Sequence, residues 1–341
     1  MNLFGTALRI EILGESHGPA VGALIDGCPP GLALSAADFE ADLARRRAGA
    51  AGTTPRHEAD IPEILSGLFD GHTTGTPILV IFRNADTRSS DYSRFQKVPR
   101  PGHADFTGSV RYRGMNDPRG SGHFSGRVTA GLVAAGVIAK RLLSSGVVFT
   151  TRVLEAGGRA DVASAAREAA EAGDSIGGLV ELRVSGLPAG LGEPFFGSVE
   201  SLASHALFSV PAVRGVEFGD GFAAARMRGS EHNDPFVDVS GRTASNGAGG
   251  VNGGITNGNE LVCRVAMKPA SSISKVQRTL DFSTGLETEL AAEGRHDACI
   301  SLRAAVVLEA ALALALADLL LISKSYDAAL STKERAAKER P

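Results

Sequence analysis

Apolar and polar positions change period several times along the chain, and each change marks an element. Apolar residues from Ala7 to Leu13 alternate with Arg9 and Glu11, and Val21 to Ile25 is a short apolar run. Both read as strands, with the turn Gly14-Glu15-Ser16-His17-Gly18 between them. A helix is predicted from Ser35, a candidate N-cap with Asp38 at the capping-box position, through Phe39 and Leu43 into Arg45-Arg46-Arg47. Ile64-Leu65 and the apolar run 76–82 read as further strands. Residues 84–122 are rich in Asp, Arg, Ser, Pro and Gly and too long for an ordinary connection, which predicts a functional loop or a disordered one. Ser125 to Leu143 reads as a helix whose Gly126, Ala130, Gly131, Ala134, Ala135 and Gly136 let it pack closely in the core. Residues 160–172 read as a surface helix and Gly178 to Val184 as a strand.

Two later stretches are unusual in composition. Residues 241–258 hold too many glycines for a regular helix or a fully paired strand, so the backbone is expected to approach something closely there. Leu302 to Ile322 is apolar enough to suggest a membrane span, but Arg303, Glu309 and Asp318 interrupt it. A charge near a bilayer centre costs a few kcal/mol, so a buried core helix is the better reading. No repeat or linker divides the chain; residues 1–325 are expected to form one catalytic unit and residues 326–341 a charged, disordered tail.

Composition narrows the class of function. With 341 residues, 43% of them hydrophobic, the chain can bury a large core. A net charge of −3 argues against nucleic acid as a partner, so any anion site must be a local cluster of basic residues. Cys28, Cys263 and Cys299 are scattered and lack metal-type spacing, which points to a reducing compartment, the cytoplasm. The N-terminus lacks the basic region and apolar core of a signal peptide.

Several residues are candidates for chemistry, each with a plainer alternative. His17, in a glycine-flanked turn, has the character of a proton donor near neutral pH or of an ordinary loop histidine. His103 precedes Asp105, and a carboxylate partner can fix an imidazole tautomer; a solvated loop histidine is the alternative. The arginines 45–47 either complement a helix C-terminus or grip a substrate with several anionic groups. Arg127, in a Gly- and Ala-rich helix short of charge, is expected to point at a partner. Arg295-His296-Asp297 precedes the long apolar helix, where a helix N-terminus favours an anion, or serves as its cap. Lys268, followed by Ser271 and Ser272, offers a cation and hydroxyls suited to phosphate, although such a turn is common on surfaces. No dinucleotide fingerprint is present.

The order of these segments resembles the chorismate synthase family from residue 5 to about residue 325. The resemblance rests on Gly14-Glu15-Ser16-His17-Gly18 with Asp26-Gly27-Cys28-Pro29-Pro30-Gly31-Leu32, Arg45-Arg46-Arg47, Arg100-Pro101-Gly102-His103-Ala104-Asp105 and Ser125-Gly126-Arg127. It continues in Pro211 to Glu217, Asn246-Gly247-Ala248-Gly249-Gly250 with Gly253-Gly254, Lys268-Pro269-Ala270-Ser271-Ser272, and Arg295-His296-Asp297-Ala298-Cys299. It implies an α+β fold, a β-α-β sandwich in a single large domain, and a homotetramer. It also implies a lyase that removes phosphate from 5-enolpyruvylshikimate 3-phosphate by anti-1,4 elimination and requires reduced FMN, although the net reaction is redox-neutral.

By the same resemblance His17 protonates the departing phosphate, His103 sits by the flavin, and Asp297 assists loss of the C6 proton. Arg47, Arg100, Arg127 and Arg295 match substrate-gripping positions; Ser125, Asn246, Ala248, Lys268, Ser272 and His296 match flavin contacts. The chain departs from the family at Gly49-Ala50-Ala51-Gly52, where another arginine is common, and at His123-Phe124; Arg56 or His123 are candidates to compensate. An external flavin reductant is expected. A flavin-dependent oxidoreductase on the same scaffold would need no arginine cluster for a phosphorylated diacid, so the cluster favours the lyase.

Overall fold

Polar edges and apolar centres assemble into two antiparallel sheets with helices between them in the computed structural model, which describes residues 2–47, 49, 53, 58–85, 94–292 and 296–329. The first sheet runs, in spatial order, Leu3–Phe4, Arg9–Gly14, Ala20–Asp26, Ile78–Arg83 and Glu63–Ile64. The second runs Val213–Phe218, Leu261–Met267, Gly178–Ser185 and Val148–Ala156. Strands such as Ile78–Arg83 alternate buried and less buried positions, the signature of a sheet with one face on the core.

The α-helices in chain order are α1 (Glu40–Arg46), α2 (Asp105–Arg111), α3 (Thr129–Leu142), α4 (Val162–Glu171), α5 (Val199–Phe208), α6 (Gly229–His232) and α7 (Ser301–Ala329). Helix α3 packs on the Ala20–Asp26 and Ile78–Arg83 strands, and α7 packs between α3 and the second sheet, beside α5. Small residues make these layers thin. A Cβ at Gly131 would collide with the Gly22 carbonyl oxygen, and one at Gly136 would collide with Ala310 of α7. Residues 130–139 of α3 and 306–319 of α7 are buried without interruption, as expected for helices with apolar neighbours all round.

The charges in α7 are matched from other elements. Asp318 accepts backbone N–H bonds from Thr6, Ala7 and Leu8 at 2.7–3.1 Å. Glu309 accepts both Nη groups of Arg45 at 2.8 and 2.7 Å, Lys140 Nζ at 2.9 Å and Thr151 Oγ1 at 2.6 Å. Burial alone would raise the Glu309 carboxyl, but Arg45 and Lys140 hold it down at about 2. Helix α7 meets the length and apolarity of a membrane span, yet 78% of its most apolar window is buried inside the fold. It is the core helix anticipated from its charges.

Ser35 and Asp38 form the expected capping box, opening a 3-10 turn (Ala36–Phe39) that leads into α1. The long loop is more structured than its composition suggests, since it contains α2. The glycine-rich stretch holds a small hairpin, Val251–Asn252 against Ile255–Thr256. The predicted tail begins inside α7, which continues to Ala329; residues 330–341 lie outside the described residues.

Candidate functional site

Three successive arginines leave α1 in three directions, because neighbours on a helix are about 100° apart. Arg45 turns to Glu309 in the core. Arg46 turns toward α3, where Nη1 donates to Asp60 Oδ2 at 2.8 Å, Nε to Thr129 at 3.2 Å, and Nη2 to the carbonyls of Gly126 and Arg127 at 3.0 and 3.1 Å. Arg47, one residue past the helix, forks onto Glu40 at 2.8 and 3.1 Å, and its Nε is buried with no hydrogen-bond partner among the described residues.

Arg46, Arg47 and Arg127 all line a cleft of about 1060 Å³ between the first sheet, the N-terminal ends of α3 and α7, and the loops around residues 100–104, 119–125 and 268–272. Arg127 pairs with the other oxygen of Asp60, while its Nε donates to Asn84 Oδ1 at 2.9 Å. Arg303, in the first turn of α7, donates to the Arg46 carbonyl at 3.0 Å and to Asp297 at 2.9 Å. Burial pushes the Arg46 guanidinium down to about 10; Asp60 opposes the shift, and Arg303 and Arg127 add to it. It remains charged at neutral pH. Seven cationic side chains line the cleft against three carboxylates among the described residues, so an anionic ligand would relieve the crowding.

A second cluster stands on the loop before α2. Arg100 grips Asp105 through Nε at 2.8 Å and Nη2 at 2.7 Å, donates to Ser272 Oγ at 2.8 Å and Ser121 Oγ at 2.9 Å, and stacks on the Phe95 ring at 4.3 Å. His103 Nδ1 lies 2.7 Å from Asp105 Oδ1 and 3.0 Å from Arg100 Nη2. The nitrogen cannot donate to one and accept from the other. Although burial opposes it, Arg100 and His103 hold the Asp105 carboxyl far below the usual carboxylate range, so Asp105 is ionised and Nδ1 carries the proton. Nε2 is then the nitrogen available for proton transfer. Ser121 is held in the left-handed region (φ 67°) between two glycines that share it, strain of the kind stored at functional sites.

Lys268 donates to the Gly102 carbonyl and to Ser271 at 2.9 Å. Burial and the neighbouring Arg214 push its ammonium below the ordinary value. Ser125, the Oγ of which caps the Arg127 N–H at 3.3 Å, and His296 and Asp297 also line the cleft.

The structure thus brings together Arg47, Arg100, His103, Ser125, Arg127, Lys268, Ser272, His296 and Asp297. Others are placed differently. His17 does not itself line the cleft; its ring packs against Gly120, which does. Asn246 spans its own loop, donating to the Glu260 carbonyl at 2.8 Å and accepting from Gly250 at 2.9 Å, while the Ala248 N–H is held by Asp234; neither lines the cleft. Arg295 and Arg56 lie outside the described residues. Sequence reasoning missed Asp60, Arg303 and the separate role of Arg46. Helical phasing through the arginine run could have singled out Arg46, whereas nothing local marks Asp60.

A family profile described as chorismate synthase matches residues 8–321. A chorismate synthase of Chitinophaga pinensis is 56% identical, the alignment covering 95% of this chain and 98% of the relative. One of Methanosarcina barkeri is 49% identical, over 94% and 96%. A crystal structure of chorismate synthase superposes with a TM-score of 0.71 at 28% identity, covering 94% of this chain and 93% of that one.

Proposed function

The chain belongs to the chorismate synthase family, and from that premise we propose that its arginine-lined cleft binds 5-enolpyruvylshikimate 3-phosphate beside reduced FMN. The activity is that of a lyase, which eliminates phosphate to give chorismate at the last step of the shikimate pathway. The observation that carries the placement is the convergence of Arg46, Arg100, Arg127 and Arg303 with His103 and Asp297 on one cleft. A substrate with a phosphate and two carboxylates needs several fixed guanidinium groups, and a guanidinium fork matches both anions.

The donor set also fits a flavin phosphate. Lys268, Ser271 and Ser272 offer a cation and hydroxyls on one wall, with Ser125 and His296 on the same cleft. Gly102 leaves room there: a Cβ on it would only just reach Ser271 Oγ at 3.5 Å and Lys268 Nζ at 3.8 Å. The volume of about 1060 Å³ exceeds what one small ligand needs. Bound in its reduced form, FMN supplies an electron-rich ring that eases carbon–oxygen cleavage without net oxidation.

The protein's own residues then divide the work. Arg46 and Arg127, fixed by Asp60, orient an anionic group, and Arg100, fixed by Asp105, holds a second. His103 is presented as the Nδ1–H tautomer, with Nε2 exchanging a proton at the ligand. Asp297, steadied by Arg303, assists loss of the C6 proton rather than receiving it directly. His17, whose ring packs against Gly120, is given the protonation of the departing phosphate by resemblance to the family.

Exposed Phe195, Phe196, Phe222, Phe236 and Val239 support self-association, here as a homotetramer. Three free, buried cysteines fit a cytoplasmic setting. Lack of a nicotinamide fingerprint favours an external flavin reductant. Anaerobic mixing of the protein with 5-enolpyruvylshikimate 3-phosphate and dithionite-reduced FMN tests the reading. Phosphate and chorismate should appear stoichiometrically, and neither with oxidised flavin; flavin binding without product would overturn it.

A further inference from the structure

Two buried arginines from different elements meet at one carboxylate. Arg46 is 3% exposed, Arg127 5% and Asp60 4%. Each oxygen of Asp60 takes one guanidinium. Their remaining bonds tie Arg46 to Thr129, Gly126 and Arg127, and Arg127 to Asn84 and the Arg83 carbonyl. Each guanidinium has five N–H donors, so at most one N–H of Arg46 and two of Arg127 remain for a ligand. Two like charges at this burial would otherwise repel and turn apart. Asp60 itself sits in the left-handed region (φ 50°), a conformation that brings its short side chain between them and that Asp and Asn tolerate better than most residues.

We propose that Asp60 is a positioning residue for the anionic substrate, clamping Arg46 and Arg127 so that their remaining N–H groups address one anionic group in the cleft they line. The inference rests on the placement of substrate proposed above. It assigns to Asp60 no proton transfer and no contact with the ligand. Loss of the clamp should therefore raise KM and leave kcat nearly unchanged, provided saturating substrate reorders the arginines.

The test uses the full chain with reduced FMN under anaerobic conditions, and compares D60N, D60E and R127A by KM, kcat, inhibition by inorganic phosphate and thermal melting. D60N keeps the backbone preference and removes the charge; D60E keeps the charge and displaces it. Both should raise KM and the phosphate inhibition constant by about tenfold or more, with kcat within about threefold. Folded D60N and D60E with KM within twofold of the parent would sink the proposal. So would failure of both to fold, which would make Asp60 a residue of stability alone. R127A separates this outcome from failure of the site itself. If R127A raises KM while the Asp60 variants do not, only the clamp is wrong; if R127A also leaves KM unchanged, the substrate does not lie here.

Discussion

His103 and Arg100 share one carboxylate, so Asp105 sets both the tautomer of the imidazole and the direction of the guanidinium. This coupling predicts that Asp105→Asn lowers turnover nearly as much as His103→Ala, because an amide can present its N–H to Nδ1 and favour the wrong tautomer. Steady-state assays should show each variant down by about 10² or more, the range of general acid–base groups. His17→Ala should lose turnover by a similar factor although the ring packs against Gly120; near-normal turnover would remove it from proton transfer. The histidines and the Arg100 loop were legible as candidates because their residue types are rare and chemically distinct. Asp60 was not, since an aspartate in a polar stretch has no local feature that foretells two guanidinium partners from distant segments.

Elements are held in place by small residues as much as by large ones. Gly131 lets α3 touch the Ala20–Asp26 strand, and Gly136 lets it touch α7. Gly136→Leu should therefore force the two helices apart and destabilise the fold by about 1–3 kcal/mol or more, seen as a lower melting temperature with retained helical content. An unchanged melting temperature would mean that the contact relaxes freely. Helices α3 and α7 were readable, the first from its small residues and the second from an apolar run interrupted by charges. Strands Val148–Ala156, Val213–Phe218 and Leu261–Met267, and helices α2 and α5, carried weaker patterns; their register depends on cross-strand partners far away in the chain.

At the scale of the whole molecule, charge burial makes stability depend on acid. Glu309 titrates at about 2 in the folded protein against an ordinary 4.5, so its contribution is present above about 4.5 and is lost as pH falls toward 2. A depression of that size corresponds to on the order of 3 kcal/mol. Asp105, also depressed, adds in the same direction. Urea titrations between pH 6 and pH 3 should show a falling unfolding free energy, and Glu309→Gln should flatten the slope. An equal slope in the variant would place the acid sensitivity elsewhere.

The chain's own order of residues determined which types of chemistry are present, where the central helices run, and that an anion site had to be a local cluster in an otherwise acidic molecule. These are properties of neighbours within a few positions or of simple composition. Only the tertiary structure decided which arginine of the run 45–47 reaches Glu309, which is buried against Asp60 and which forks onto Glu40 at the cleft, and that Asp60 and Arg303 belong to the site. Ion pairs between residues up to 264 positions apart are selected by packing, because the desolvated charges must meet wherever the layers close.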